Sequence, residues 1–336
     1  MAIEIINSIK NLKNRVQSSE LDKNSIDRLK YYLYIIEKEL NTKAFDLESE
    51  KTYNQKEKQQ KRKSFNGLTA SEWAALSRNV WNDVSSPRKS QHLIHGATYS
   101  EKLAERAIRM YTKEGDLVFD PFLGTGTSLI AANNLNRKGL GIELTQKFYK
   151  IAKEEILQSN QDLFKNQAQK VIKDDCRNMK KYLEEDSIQL TLTSPPYADF
   201  IHKSVEDRKK THKKSAIVFK NKSKTKPYSK SKKDFGNLQY NDFLKECKFI
   251  LKEIYKYTKK DGYCIWVVKD YRDTVNKTPY IPFHSDIANI GETAGFKYHD
   301  LILWDQNAQR SLILLGYPSV FYTNQNCSFL VIFRKI

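Results

Sequence analysis

Apolar positions along the chain change their period twice. Ile5, Ile9, Leu12 and Val16 fall at helical spacing, SSELDKNS interrupts, and Ile26, Leu29, Leu33, Ile36 and Leu40 then step three, four, three, four. That stepping keeps one apolar stripe along a helix, so it predicts a helical pair that needs a surface to bury against. Residues 41–65 are charged and Gln-rich without period, which predicts a linker or arm. From residue 66 the texture becomes strand and helix in alternation. Strands are predicted at LVFD (117–120), GLGIEL (139–144), VIKD (171–174), QLTLT (189–193), CIWVVK (264–269), LILW (301–304) and SFLVIFRK (328–335). PFLGTGTSLIAANNL is predicted as a Gly-bearing turn running into a helix, and further helices are predicted over QKFYKIAKEEIL, DFLKECKFILKEIYKY and HSDIANIGETAG. This alternation predicts an α/β fold with a mostly parallel, doubly wound sheet. The last two strands, joined by loop alone, predict an antiparallel hairpin at one edge. The expected organisation is a helical extension with charged linker, 1–65, and one large domain, 66–336.

Composition narrows the picture. No apolar run approaches the ~20 residues that cross a bilayer, and the opening MAIEIINSIKNLKNRV has no secretory apolar block. Cys176, Cys247, Cys264 and Cys327 form no CxxC pair, which argues against a disulfide scaffold or zinc ribbon. His92 and His95 lack a glutamate between them and a third ligand, so no metal site is expected. A cytoplasmic location follows as an expectation. Lys and Arg number 58 against 40 Asp and Glu, a net charge of +18, which favours a polyanionic partner. Between Lys203 and Lys233 thirteen basic residues face two acids, a net +11 within 31 residues. This stretch lies in an insertion, about 198–239, just past a predicted strand tip, where parallel sheets bind ligands.

Two turns at strand tips carry the candidate chemistry. Asp120-Pro121-Phe122-Leu123-Gly124-Thr125-Gly126-Thr127-Ser128 joins a strand to a helix through two glycines; it is neither a P-loop nor the full GxGxxG fingerprint. Glu143 and Asp175 end the next two strands, where they can accept hydrogen bonds from a ribose and from an adenine amino group, or else cap the following helices. An acid at both tips after a glycine turn favours an adenosine-containing cofactor. Thr193-Ser194-Pro195-Pro196-Tyr197 follows another strand. Its prolines make a rigid turn with free carbonyl acceptors, Ser194 adds a hydroxyl and Tyr197 a flat ring, a set suited to a planar base.

Together DPFLGTGTS and TSPPY resemble the signatures of the DNA amino-methyltransferases, and residues 95–122, 137–144 and 174–177 resemble the segments around them. The resemblance covers roughly residues 70–200 and, more weakly, 240–336. It implies a Rossmann-like methyltransferase fold and S-adenosylmethionine as cofactor. By resemblance Asp120, Pro121, Phe122, Gly124, Gly126 and Thr127 surround the methionine end, with Ala97 and Tyr99 from the preceding motif. Glu143 then takes the ribose and Asp175 the adenine, while Ser194, Pro195, Pro196 and Tyr197 form the catalytic loop. Serine at the head of that loop favours cytosine N4 over adenine N6. The implied partner is double-stranded DNA, with a restriction endonuclease acting separately and no membrane. Many relatives place the catalytic motif first, whereas here the cofactor motif leads, and target recognition is expected from the basic insertion through Lys203, Lys209, Lys210, Lys213, Lys214 and Lys220. An RNA base methyltransferase and a non-catalytic nucleic-acid-binding protein are the competing readings.

Overall fold

The computed structural model describes residues 64–85, 99–159, 168–198, 233–273, 276–309 and 321–336, together with Ile26, Leu29, Leu33, Ile36, Ser229 and Ser231. The chain divides into two compact units, Met1–Thr69 and Ala70–Ile336. In the first, Ile26, Leu29, Leu33 and Ile36 are helical, as their spacing predicts, and Leu29 and Ile36 remain exposed. The helix predicted around Ile5–Val16 and residues 41–63 of the predicted linker lie outside the described residues.

The second unit is built on an eight-stranded sheet. Its strands are β1 (Val80–Trp81), β2 (Leu117–Asp120), β3 (Lys138–Glu143), β4 (Gln169–Lys173), β5 (Ile188–Thr193), β6 (Thr258–Val268), β9 (Lys297–Asp305) and β10 (Cys327–Arg334), in the order β1-β9-β10-β6-β5-β2-β3-β4. Strands β7 (Tyr271–Asp273) and β8 (Thr278–Ile281) form a separate antiparallel hairpin. Neighbours from β6 to β4 pair in parallel, while β10 runs antiparallel between β6 and β9. The antiparallel β9–β10 pair is present as expected, but β10 is inserted inside the sheet and β1 covers the outer side of β9. The mostly parallel, doubly wound, Rossmann-like sheet expected from the sequence is therefore present.

Helices cover both faces: α1 (Ala70–Leu76), α2 (Glu101–Tyr111), α3 (Thr127–Asn134), α4 (Gln146–Ser159), α5 (Tyr240–Tyr257) and α6 (Phe283–Thr293). Successive strand residues point to opposite faces. Val118, Ile265, Val267, Leu330 and Ile332 meet α2 through Leu103, Ala104, Ala107 and Ile108. Their neighbours Phe119, Trp266, Val268, Val331 and Phe333 meet α5 and α6 through Phe243, Ile250, Ile254, Phe283 and Ile287. Because both faces are buried, these strands read as continuous apolar runs rather than alternating ones. Helix α2 begins where Ser100 accepts a hydrogen bond from Leu103 N at 3.1 Å and ends where Thr112 Oγ1 donates to the Ile108 carbonyl.

Candidate active site

In the strand order, β2 is the point of reversal: the chain proceeds outward through β3 and β4 on one side and through β5 and β6 on the other. The crevice at the carboxyl ends of β2 and β5 is where an open parallel sheet takes its ligands. Both motifs open there, one after each strand.

After β2 the chain turns into α3. Gly126 precedes the helix with φ of 92°, and a Cβ there would lie 3.3 Å from Ala152 Cβ on α4. A left-handed backbone packed against a helix explains the glycine without a ligand. Thr125 Oγ1 and Thr127 Oγ1 are buried without a hydrogen-bond partner beside a helix start that has no side-chain cap. Polar atoms left in that state call for a partner. On β3, Gly141 leaves room for Leu123, whose Cδ1 would sit 2.6 Å from an added Cβ.

Glu143, at the tip of β3, is nearly buried. Its Oε2 accepts from Gly124 N at 2.9 Å and its Oε1 from Thr145 N and Oγ1 at 2.6 and 2.7 Å. Burial raises its pKa, and these bonds act against the rise. Asp175 caps the short 3₁₀ turn Cys176–Lys181 and also holds Arg177 in a two-point ion pair, Nε to Oδ1 at 2.9 Å and Nη2 to Oδ2 at 2.7 Å. Arg177 in turn donates to the Lys233 carbonyl and lies over the Phe235 ring at 5.3 Å.

Asp120 is 2% exposed, and its carboxylate accepts four hydrogen bonds. Thr193 Oγ1 (2.6 Å) and Phe122 N (3.0 Å) donate to Oδ1; Ser128 Oγ (2.6 Å) and Tyr99 OH (3.3 Å) donate to Oδ2. Burial outweighs these bonds and lifts its pKa to about 6. The same burial, with Asp120 alongside, raises the Tyr99 phenol.

An open cleft lies above these groups. Pro121, Phe122, Glu143 and Asp175 line it from the first set of predicted residues, and Ser194, Pro195, Pro196 and Tyr197 from the second. The two turns share one cleft. Tyr197 stands edge-on to Phe283 at 5.8 Å, and Phe122 edge-on to Phe235 at 5.4 Å. Tyr99, Asp120, Gly124, Gly126 and Thr127, expected around the cofactor, are not on the cavity wall: Tyr99, Asp120 and Thr127 are buried beneath the turn. Ala97, Lys203, Lys209, Lys210, Lys213, Lys214 and Lys220 lie outside the described residues, as do His92 and His95.

The wall also holds residues that pattern reading passed over. Phe148 on α4 reads as one more position of a helical stripe, and Thr145 is hidden behind the acid it bonds. Lys233, Asp234 and Phe235 close another side. They belong to the end of the insertion expected to overhang DNA; there Asp234 caps the 3₁₀ turn Phe235–Asn237 through Gly236 N.

Residues 2–154 match the family model of the N6/N4 DNA methylases. The chain is 39% identical over 82 residues to an orphan methyltransferase, M.BamHII, of Bacillus amyloliquefaciens, covering 23% of this chain and 31% of that protein. It is 45% identical over 76 residues to the Type II methyltransferase M.MthZI of Methanothermobacter thermautotrophicus, covering 21% of each. The chain thus spans between a fifth and a third of the length of these relatives. Among solved structures, a SAM-dependent methyltransferase of Methanosarcina mazei is 12% identical with a TM-score of 0.40, covering 68% of this chain and 97% of that one. The matched segment contains the Asp120–Ser128 turn and Glu143 and stops before Ser194.

Proposed function

We propose that this chain transfers a methyl group from S-adenosylmethionine to an exocyclic amine of a DNA base, the N4 of cytosine. The observation that carries the reading is the shared cavity, in which Ser194, Pro195 and Tyr197 face Phe122, Glu143 and Asp175. Phe122, Phe148 and Phe235 supply flat apolar walls, and Glu143 keeps one acceptor direction free for a ribose hydroxyl. When bound, the cofactor supplies an electrophilic methyl on a positive sulfonium.

The protein's own part is to hold the amine. A base amine is a poor nucleophile because its lone pair is delocalised into the ring. The Ser194 hydroxyl and the Pro195 carbonyl accept its two N–H bonds and so favour the pyramidal form. The paired prolines keep that turn rigid, so orientation is fixed before the reaction. Tyr197 stacks on the extruded base; such stacking is worth ~1–3 kcal/mol and offsets part of the unstacking cost. The basic insertion meets the phosphates of the duplex. If it neutralises about five, log K falls against log salt with a slope near −4.5.

A labelled-methyl transfer assay on unmethylated DNA, followed by base analysis, tests the reading. Label in N4-methylcytosine is expected. Label in N6-methyladenine corrects the base, label in RNA alone corrects the substrate, and DNA binding without transfer overturns the catalytic reading.

A further inference from the structure

We infer that Asp120 is not a ligand of the cofactor but the positioning residue that ties the base-gripping loop to the cofactor loop; this rests on the function proposed above. A carboxylate offers about four acceptor directions. All four of Asp120 are used by donors from four segments: Tyr99 ahead of α2, Phe122 in the cofactor turn, Ser128 in the first turn of α3, and Thr193 at the tip of β5. None is left for a bound molecule, and the residue is absent from the cavity wall.

Its place in the sheet gives the tie a mechanical purpose. The last backbone pair between β2 and β5 is Phe119 with Thr191. Beyond it, the 2.6 Å contact from Thr193 Oγ1 to Asp120 Oδ1 is the next link between the two strands. Hydroxyl-to-carboxylate bonds of that length are charge-assisted and strong. Thr193 immediately precedes Ser194, so the link acts one residue from the hydroxyl proposed to hold the amine. The other oxygen is held by Ser128, whose helix carries the cofactor turn. A shift of ~1 Å between reacting groups costs about 100-fold in rate, which sets the scale of what the tie protects.

Three full-chain variants test this. Thr193→Val keeps shape without the hydroxyl, Thr193→Ser keeps the hydroxyl, and Asp120→Asn keeps size without charge. For each, kcat for methyl transfer, the Kd for S-adenosylmethionine and hydrogen exchange of the Ser194, Tyr197 and Ala198 amides are measured. Thr193→Val is expected to lower kcat ~10- to 100-fold and speed that exchange, with cofactor Kd within about twofold. Thr193→Ser should restore both to within about threefold, and Asp120→Asn should lower kcat with little change in cofactor Kd. A Thr193→Val enzyme with wild-type kcat and exchange, or an Asp120→Asn enzyme whose cofactor Kd rises about tenfold at unchanged kcat, overturns the inference. Should the wild-type chain methylate no nucleic acid, the proposed function falls by itself, and the exchange comparison still decides whether the tie exists.

Discussion

Glu143→Gln is a small change in volume and a large one in hydrogen bonding. In the wild type each carboxylate oxygen faces a backbone N–H that can only donate: Thr145 N at 2.6 Å on Oε1 and Gly124 N at 2.9 Å on Oε2. A glutamine must turn its NH₂ toward one of them. The Thr145 side also carries the hydroxyl, so the amide nitrogen goes to the Gly124 side, where donor meets donor. Leaving a buried N–H unsatisfied costs about 1–3 kcal/mol. Relief of the burial that raises the Glu143 pKa offsets part of this. The Gly124 N–H belongs to the turn proposed to hold the cofactor, so the strain appears in that turn. Loss of the charged acceptor for a ribose hydroxyl adds about 1.5–3 kcal/mol to the unbinding side. At 1.4 kcal/mol per tenfold, the Kd for S-adenosylmethionine should rise roughly 10- to 100-fold. Equilibrium titration of the full chain measures it, with thermal unfolding alongside to show that the variant is folded. A Glu143→Gln protein that binds the cofactor as tightly as wild type would refute the assignment of this carboxylate to the ligand.

Three further outcomes follow from the same geometry. Ser194→Ala removes one of the two acceptors proposed for the amine and should lower kcat about 10- to 100-fold while cofactor affinity stays within twofold, read by transfer kinetics and titration. Gly141→Ala places a Cβ 2.6 Å from Leu123 Cδ1, so overpacking of about 1–3 kcal/mol should appear in denaturant unfolding, with weaker cofactor binding as the Leu123 turn shifts. Asp120 has a folded pKa of about 6, above its ordinary value of 3.8, so the fold binds the extra proton between the two. Its contribution is fullest below about pH 4 and is lost as pH rises through 6, by about 3 kcal/mol. The stability difference between wild type and Asp120→Asn should therefore fall over that window, and a difference independent of pH would refute the buried charge.

The acids at strand tips were legible in the chain because an apolar run ending in Asp or Glu marks the ligand edge of a parallel sheet, and Asp120, Glu143 and Asp175 all stand there. Their partners were less so. Thr193 is 73 residues from Asp120, and no local pattern links them. Arg177 was in plain view two residues from Asp175, but spacing alone does not say that a cation will turn back onto the acid before it. Phe148 and Phe235 looked like ordinary apolar positions, since an aromatic that lines a cleft and one that fills a core follow the same period. Strand β1, two residues long, and the β7–β8 hairpin are too short to carry a period at all. The place of β10 inside the sheet depended on long-range pairing with β6, which an apolar run cannot announce.

The Asp120–Ser128 turn, proposed to hold the cofactor, comes before the Ser194 turn, proposed to hold the base, and both open into one cleft. The reason lies in what the chemistry requires. It needs β2 and β5 side by side with their carboxyl ends together, and that adjacency is a property of the sheet rather than of chain order. The segment that matches the methylase family, residues 2–154, supplies β2, β3 and the turn between Asp120 and Ser128; β5 and the Ser194 turn come from outside it. Backbone pairing joins β2 to β5 only as far as Phe119 and Thr191. The Asp120 carboxylate, reached from one part by Ser128 and from the other by Thr193, gives the junction a fixed distance. Burying that charge is unfavourable, as its raised pKa shows, and a buried charge that is retained against such a cost is better explained by the geometry it imposes than by the stability it adds.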